Sequence, residues 1–470
     1  MKRFLLITLL SIVSLSAYSM GDFVKDIELK ALQVKVPEIL KFSQGDGTEL
    51  WALPDQDFPI VYAEIYIDFG KKNLGNRNPE IIRLLEDSWH YSGSKSYPKE
   101  KLLEEFEALG ANFGFSIDYE KTVISLSYLK KDHSQVMKLL QSFWNEPLLD
   151  PEIIQTMRNR IADEIRRRND NPTSLGQRKL RERVYKNTLL GRSMDIQKLN
   201  AVSMEDLQTL QKEILSTKER KVLLSGDVKL EEWKSLSNTL QISNASIQTG
   251  EELNSELIAK NIKATLKTPI LIEKDVSQSF VALMGVLPKH NDKDFYAIQV
   301  LNYIIGGGGF NSYYMREIRN NRGLAYSAGS TTDFQKSFGT IQFYAMTKTE
   351  SVPEVLSLMK DLIRKEAIES LREDELQRAK NAIINQFVFL FDDSKKVLRN
   401  ELRFRDHEMP TDYLPEFRDR INDVSLADIR RVGELYFNPE RLTTLVVGPK
   451  DLKKSLGESF QTFQAEDILP

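Results

Sequence analysis

The segment "EIIRLLEDSWH", residues 80–90, carries Arg83, Glu86, Asp87 and His90 within about two turns of a 3.6-residue helix. Residues three and four apart share a helix face, so carboxylates and an imidazole at this spacing can converge on a divalent ion or on a water molecule. A zinc hydrolase needs lone-pair donors for the metal and a base to deprotonate the metal-bound water. Arg83 supplies neither, being a permanent cation with no lone pair to give. A solvated, charged face on an amphipathic helix accounts for the same residues. Downstream, Arg319 and Tyr326 stand seven apart in "RNNRGLAY". A guanidinium and a phenol can both donate to a carbonyl oxygen and to the oxyanion it becomes. A solvated helix arginine and a half-buried strand tyrosine would read the same way. Gly306, Gly307, Gly308 and Gly309 lack the Gly-Lys-Ser/Thr of a phosphate loop, which argues against nucleotide binding. Such a run lets backbone approach another chain closely and stay mobile.

These residues need elements to hold them. In "IVYAEIYIDFG", Val61, Ala63, Ile65, Ile67 and Phe69 alternate with Tyr62, Glu64, Tyr66 and Asp68, which predicts a strand with one buried face. Asn78 and Pro79 then open the helix of the Arg83 cluster. Further helices are expected in "PKEKLLEEFEAL", "SQVMKLLQSFW", "PEIIQTMRNRIADEIRRR" and "SLGQRKLRERVY", and a strand in "KTVISLSYL". Ser203 with Asp206 reads as a capping arrangement. The order then repeats: "VSMEDLQTLQKEIL" has its counterpart in "VSLADIRRVGELYF", and "VLLSGDV" in "TLVVGPK". Ser203 and Ser425 are 222 residues apart, as are Gly226 and Gly448, so the chain is read as an internal duplication of whole domains. The expected fold is α+β: two homologous domains, each a mixed, mostly antiparallel sheet packed with helices, joined by a linker into a clamshell. The boundaries are 1–19 for a signal peptide, 20–242 and 266–470 for the domains, and 243–265 for the linker, which lacks a sustained apolar period.

Composition sets outer limits. A chain of 470 residues is long enough for two or more domains, and its net charge of −3 gives no reason to expect nucleic acid as partner. There are no cysteines, which excludes disulfides and thiolate metal sites, and only four histidines: His90, His133, His290 and His407. Lys2 and Arg3 precede an apolar run over residues 4–15, followed by Ala17-Tyr18-Ser19. That pattern predicts export to the periplasm with cleavage after Ser19, or retention as an inner-membrane anchor.

The succession of strand, helix and long acidic-basic helix, with "FEALGANFGFSID", "EIRRRNDNP" and above all "LNYIIGGGGFNSYYMREIRNNRGLAYS", resembles the pitrilysin/insulinase-type zinc metallopeptidases over nearly the whole mature chain. That family includes mitochondrial processing peptidase and its non-catalytic relatives, and its signature is His-x-x-Glu-His with a Glu ligand on a later helix. Carried over, Arg83 and Asp87 stand at the two histidine positions, Glu86 at the general base and Glu164 at the third ligand; Met157 stands where active members carry a supporting Glu. The resemblance implies that Arg83 pairs with Glu86, Asp87 or Glu164 in the space a metal would take, so no metal is expected in this chain. An unorthodox site built from His90 with Glu86, Asp87 and Glu164 is the competing arrangement; otherwise His90 packs or caps at its helix end. Arg319 and Tyr326 match the pair that reaches the substrate beside the zinc, and the glycine run matches a loop facing the chamber and touching peptide. The implied function is a non-catalytic subunit of an exported heterodimeric peptidase, with zinc in the partner subunit and peptide as ligand; a non-enzymatic scaffold of the same fold is the alternative.

Overall fold

The computed structural model describes residues 37–44, 47–234, 240, 245–253 and 255–469. The expected signal segment 1–19 and the 242/243 boundary lie outside the described residues. In the first half, β1 (Leu40–Ser43), β2 (Thr48–Pro54), β3 (Ile60–Ile67), β4 (Asn112–Ile117), β5 (Thr122–Leu129) and β6 (Arg220–Gly226) form one sheet in the order β1-β2-β6-β3-β5-β4. The second half builds β7 (Ile270–Glu273), β8 (Gln278–Leu287), β9 (Ala325–Phe334), β10 (Gly339–Lys348), β11 (Thr443–Gly448) and β12 (Gln461–Phe463) into the order β12-β7-β11-β8-β10-β9. Both sheets are mixed and mostly antiparallel: β2–β6, β7–β11 and β12–β7 are the parallel pairs. The edges β4 and β9 are counterparts, each the outer strand of a hairpin.

Local chemistry repeats with the topology. Ser203 and Ser425 each cap a helix by accepting from the backbone N–H three residues on, while Asp206 and Asp428 accept from the cap residue's own N–H. One face of each sheet packs against helices of its own half. Val61, Ala63, Ile65, Ile67 and Phe69 all turn into that core, as their alternation predicts.

The opposite face departs from the expectation of an open surface. The helix Ser394–Asp406 of the second half lies across β2 and β6 of the first sheet, where Val397, Leu398 and Leu402 bury Trp51, Leu53 and Leu223. The helix Pro172–Val184 of the first half reciprocates, placing Leu175, Leu180 and Val184 against Phe280, Ala282 and Val447 of the second sheet. The two helices start 222 residues apart, the duplication interval. Glu64, on the outward face of β3, is buried because Arg399 of the exchanged helix pairs with it while the Tyr66 hydroxyl donates to it. The second part of the expected linker is itself a helix, Ser255–Thr265, anchored by Ile258 and Ile262 in the cluster under the exchanged helix.

Exchange couples the halves energetically. All four tryptophans lie in the first half; Trp89, Trp144 and Trp233 sit in its own core and Trp51 packs against the exchanged helix, so their combined fluorescence reports chiefly on the first half. Leu398→Ala, a second-half substitution at a fully buried site, should nevertheless destabilise the tryptophan-monitored unfolding transition by about 2–4 kcal/mol. An unmoved transition would mean that the halves unfold independently.

Candidate functional site

The helix Glu80–Ser92 turns Ile81, Leu84, Leu85 and Trp89 into the first core, leaving Arg83 at its surface and Glu86 and Asp87 partly covered. A second helix, Pro151–Arg167, starts on Asp150, whose carboxylate accepts from the Glu152 and Ile153 N–H groups, and brings Glu164 alongside. Arg83 faces all three carboxylates: Glu86 at 3.3 Å, Asp87 at 3.3 Å and Glu164 at 3.9 Å. The contact with Asp87 is one of charge rather than an aligned hydrogen bond, since that buried Asp87 oxygen has no hydrogen-bond partner. Arg160 adds a second cation, 3.4 Å from Glu164. The Glu86 carboxylate also accepts from the Ile117 N–H of edge strand β4 at 3.1 Å. Burial raises the pKa of both Glu86 and Asp87; the Ile117 N–H and Arg83 counteract this for Glu86, and Arg83 with Arg160 for Asp87.

This set does not fit zinc. Ligand atoms must lie about 2.0–2.2 Å from the metal, and a guanidinium already occupies the space where the three carboxylates converge. His90 does not rescue it. Its ring stacks on Phe113 with centroids 5.4 Å apart and meets Tyr91 edge-on, and its buried Nδ1 has no partner. Burial lowers the His90 pKa, consistent with a neutral ring in aromatic packing. Among the described residues, no three or more His, Asp or Glu side chains are grouped to hold a metal ion. Met157 is buried in the core.

The second half presents a different chemistry. Gly306 is buried: a Cβ there would lie 2.5 Å from the Ser330 nitrogen of β9, so the helical turn can approach the strand only without a side chain. Gly307 and Gly309 are exposed, and Gly309 takes the left-handed conformation at φ +58°. Arg319 lies in a wide π-helical segment, Met315–Asn321, which ends at Gly323 with φ +63°. Hydrogen bonds from the Gly323 N–H to the Arg319 carbonyl and from the Leu324 N–H to the Ile318 carbonyl, both 2.9 Å, tie this turn to the start of β9. There Ala325 pairs with Thr347 and Ser327 with Met346, leaving Tyr326 as the extra residue of a bulge. The bulge re-aims Tyr326 outward, 74% exposed, rather than half-buried as its strand position suggests. The Arg319 guanidinium stands 5.1 Å from the Tyr326 ring centre and 5.2 Å from that of Phe310. Phe310, absent from the sequence-derived set, follows the glycine run directly, and that adjacency was its only signal.

Duplication also shows what the second half has in place of the carboxylate cluster. Gln386 is 222 residues beyond Glu164 on the matching helix Glu373–Phe387. It borders a cavity of about 250 Å³ with Tyr303, Gly307, Ile383, Phe387 and Phe417. An amide and an apolar wall thus replace the first half's carboxylate.

The chain is a pair of duplicated α+β halves, with a carboxylate cluster on one and an arginine–tyrosine pair on the other, and comparison with known proteins places it among peptidase-like proteins. Residues 58–195 match the insulinase family (peptidase family M16), and residues 201–383 match the peptidase M16 inactive domain. The chain belongs to the M16 metallopeptidase family. An uncharacterized zinc protease of Rickettsia felis is 26% identical over 410 residues, spanning 84% of this chain and 96% of that protein. The non-peptidase homolog YmxG of Helicobacter pylori is 22% identical over 434 residues, spanning 87% and 97%. The fold matches the crystal structure of a peptidase M16 inactive domain from Pseudomonas fluorescens with a TM-score of 0.74 at 18% identity, covering 88% of this chain and 99% of that one. Arg83 and Asp87 stand where the sequence resemblance places the two histidines of the family signature, and the match to the M16 inactive domain accords with a member that does not act as a peptidase alone.

The raised carboxylate pKa values give the Arg83 cluster a pH signature. A carboxyl group whose folded pKa lies above its unfolded value favours folding while protonated and loses that contribution as pH rises through the folded pKa. Arg83→Met removes the cation that offsets this, so its destabilisation should be about 1–2 kcal/mol near pH 7, modest because Arg83 is one-third exposed, and should shrink toward about pH 4. Urea unfolding of both proteins across that range measures it; a penalty independent of pH would show that Arg83 contributes packing only.

Proposed function

We propose that this chain is the non-catalytic subunit of an exported M16 peptidase pair, which binds extended peptide and lends Arg319 and Tyr326 to the active site of a zinc-bearing partner of the same family. The supporting observation is a contrast between two arginines. Arg83 is surrounded by carboxylates in the half where a metal would sit, whereas Arg319 has no ion-pair partner among the described residues and is presented beside an exposed phenol. The first arrangement forgoes metal chemistry; the second keeps donors available to a ligand.

In this reading the partner's zinc supplies the activated water and the polarised carbonyl. Arg319 and Tyr326 orient the peptide and donate to the oxygen on which negative charge develops. Glu86, at the base position, is engaged by Arg83 and the Ile117 N–H and stays idle. Gly307, Gly308 and Gly309 border the bound peptide. The basic, apolar N-terminal segment supports export, with the mature chain periplasmic or held at the inner membrane by that segment. Among the described residues no helix is long and apolar enough to cross a membrane.

The test is reconstitution with a family member that carries an intact His-x-x-Glu-His. The pair should cleave unstructured peptides, and this chain alone should not. Arg319→Ala should lower kcat/KM of the pair by about 10²–10³, with Tyr326→Phe costing about tenfold or more. A pair insensitive to both substitutions would indicate a scaffold role instead.

A further inference from the structure

Arg316, Arg319 and Arg322 recur every three residues along one segment, and their surroundings differ. Arg316 pairs with Glu317 at 3.1 Å and Arg322 with Glu354 at 3.7 Å. Other nearby acceptors are also engaged: Glu317 takes the Asn321 amide, and Glu375 takes the Tyr313 hydroxyl. Arg319, between them, makes no ion pair among the described residues and is held by two aromatic faces, Phe310 and Tyr326. Rings orient a guanidinium by stacking without consuming its N–H groups, which a carboxylate partner would do.

Phe310 is fixed for this purpose. The left-handed Gly309 turns the chain, and the Gly309 carbonyl accepts from both the Ser312 N–H at 3.0 Å and the Ser312 hydroxyl at 2.7 Å. This closed turn leaves the Phe310 ring 66% exposed, so the ring adds little to the core while its Arg319 contact is retained. Two exposed rings flanking an uncompensated cation make a surface with apolar walls and a donating centre.

We propose that Phe310 is a positioning and specificity residue: it holds the Arg319 guanidinium from the side of the glycine turn, and its open face receives a bulky apolar side chain flanking the peptide carbonyl that Arg319 binds. The inference rests on the peptide-binding reading above and adds the class of peptide, one with an aromatic or large aliphatic residue beside the held carbonyl.

The full mature chain and two fluorescein-labelled decapeptides test it by anisotropy, one with a single central Phe in a Gly/Ser/Ala background and one with Ala in its place. Wild type should prefer the Phe peptide by about tenfold. Phe310→Ala should weaken Phe-peptide binding by about tenfold or more and erase the preference, Phe310→Tyr should restore both, and Phe310→Leu should keep part of the preference with weaker binding. Because the ring is exposed, thermal unfolding of all three variants should match wild type. If Arg319→Ala weakens binding but Phe310→Ala changes neither affinity nor preference, the Phe310 role is overturned while peptide binding stands. If wild type binds neither peptide, the peptide-binding reading falls and this inference falls with it.

Discussion

Three carboxylates brought together by two helices need a cation, and the nature of that cation determines what the first half of this protein can do. Burial raises the pKa values of Glu86 and Asp87, Arg83 counteracts this, and Glu164 closes the cluster, so without a cation the three like charges would loosen the helix pair. A metal ion would satisfy them and bring Lewis acidity. A guanidinium satisfies them with charge and hydrogen bonds and brings no coordination chemistry. With Arg83 in place, the two helices keep their packing and their carboxylates without a metal ion to hold them.

The second half shows the opposite use of the same residue type. Its glycine turn, π-helical segment and strand bulge are three departures from regular backbone within about twenty residues, and together they bring Phe310, Arg319 and Tyr326 to one exposed point. These irregular segments sit over the second half's own core, in which Ile304, Ile305, Tyr314, Ile318 and Ala325 are buried. The exchange makes each sheet pack on a helix from the other half, so continuous apolar packing links the half that carries the carboxylate cluster to the half that carries the arginine–tyrosine pair.

How much of this was legible in the sequence depended on the range of the interactions. The alternation from Val61 to Phe69 and the Ser203 capping box are local and read directly. The pairing of Arg83 with Glu86 and Asp87 is also local, following from three- and four-residue helix spacing. The far side of β3 was not legible, because Glu64 is buried by Arg399, 335 residues away. The helix within the expected linker was missed because its buried apolar anchors are Ile258 and Ile262, with Thr265 the third buried residue, too few for a clear apolar period. The outward aim of Tyr326 was expected from the resemblance and not from its strand position, because a bulge depends on the register of the partner strand, which one strand's sequence does not display. Phe310 carried no signal of its own: its importance arises only when the turn after Gly309 brings it to Arg319.

A guanidinium that stands in for the metal should keep zinc out of the first half. The decisive measurement is zinc quantification by mass spectrometry on the purified protein, equilibrated with excess zinc and then desalted. With Arg83 holding the carboxylates, retained zinc should stay below about 0.1 equivalent, while Arg83→His combined with Asp87→His should raise it toward about one. A wild-type chain that retains about one equivalent, and loses it on Glu86→Gln or Glu164→Gln, would show that the cluster is a metal site after all.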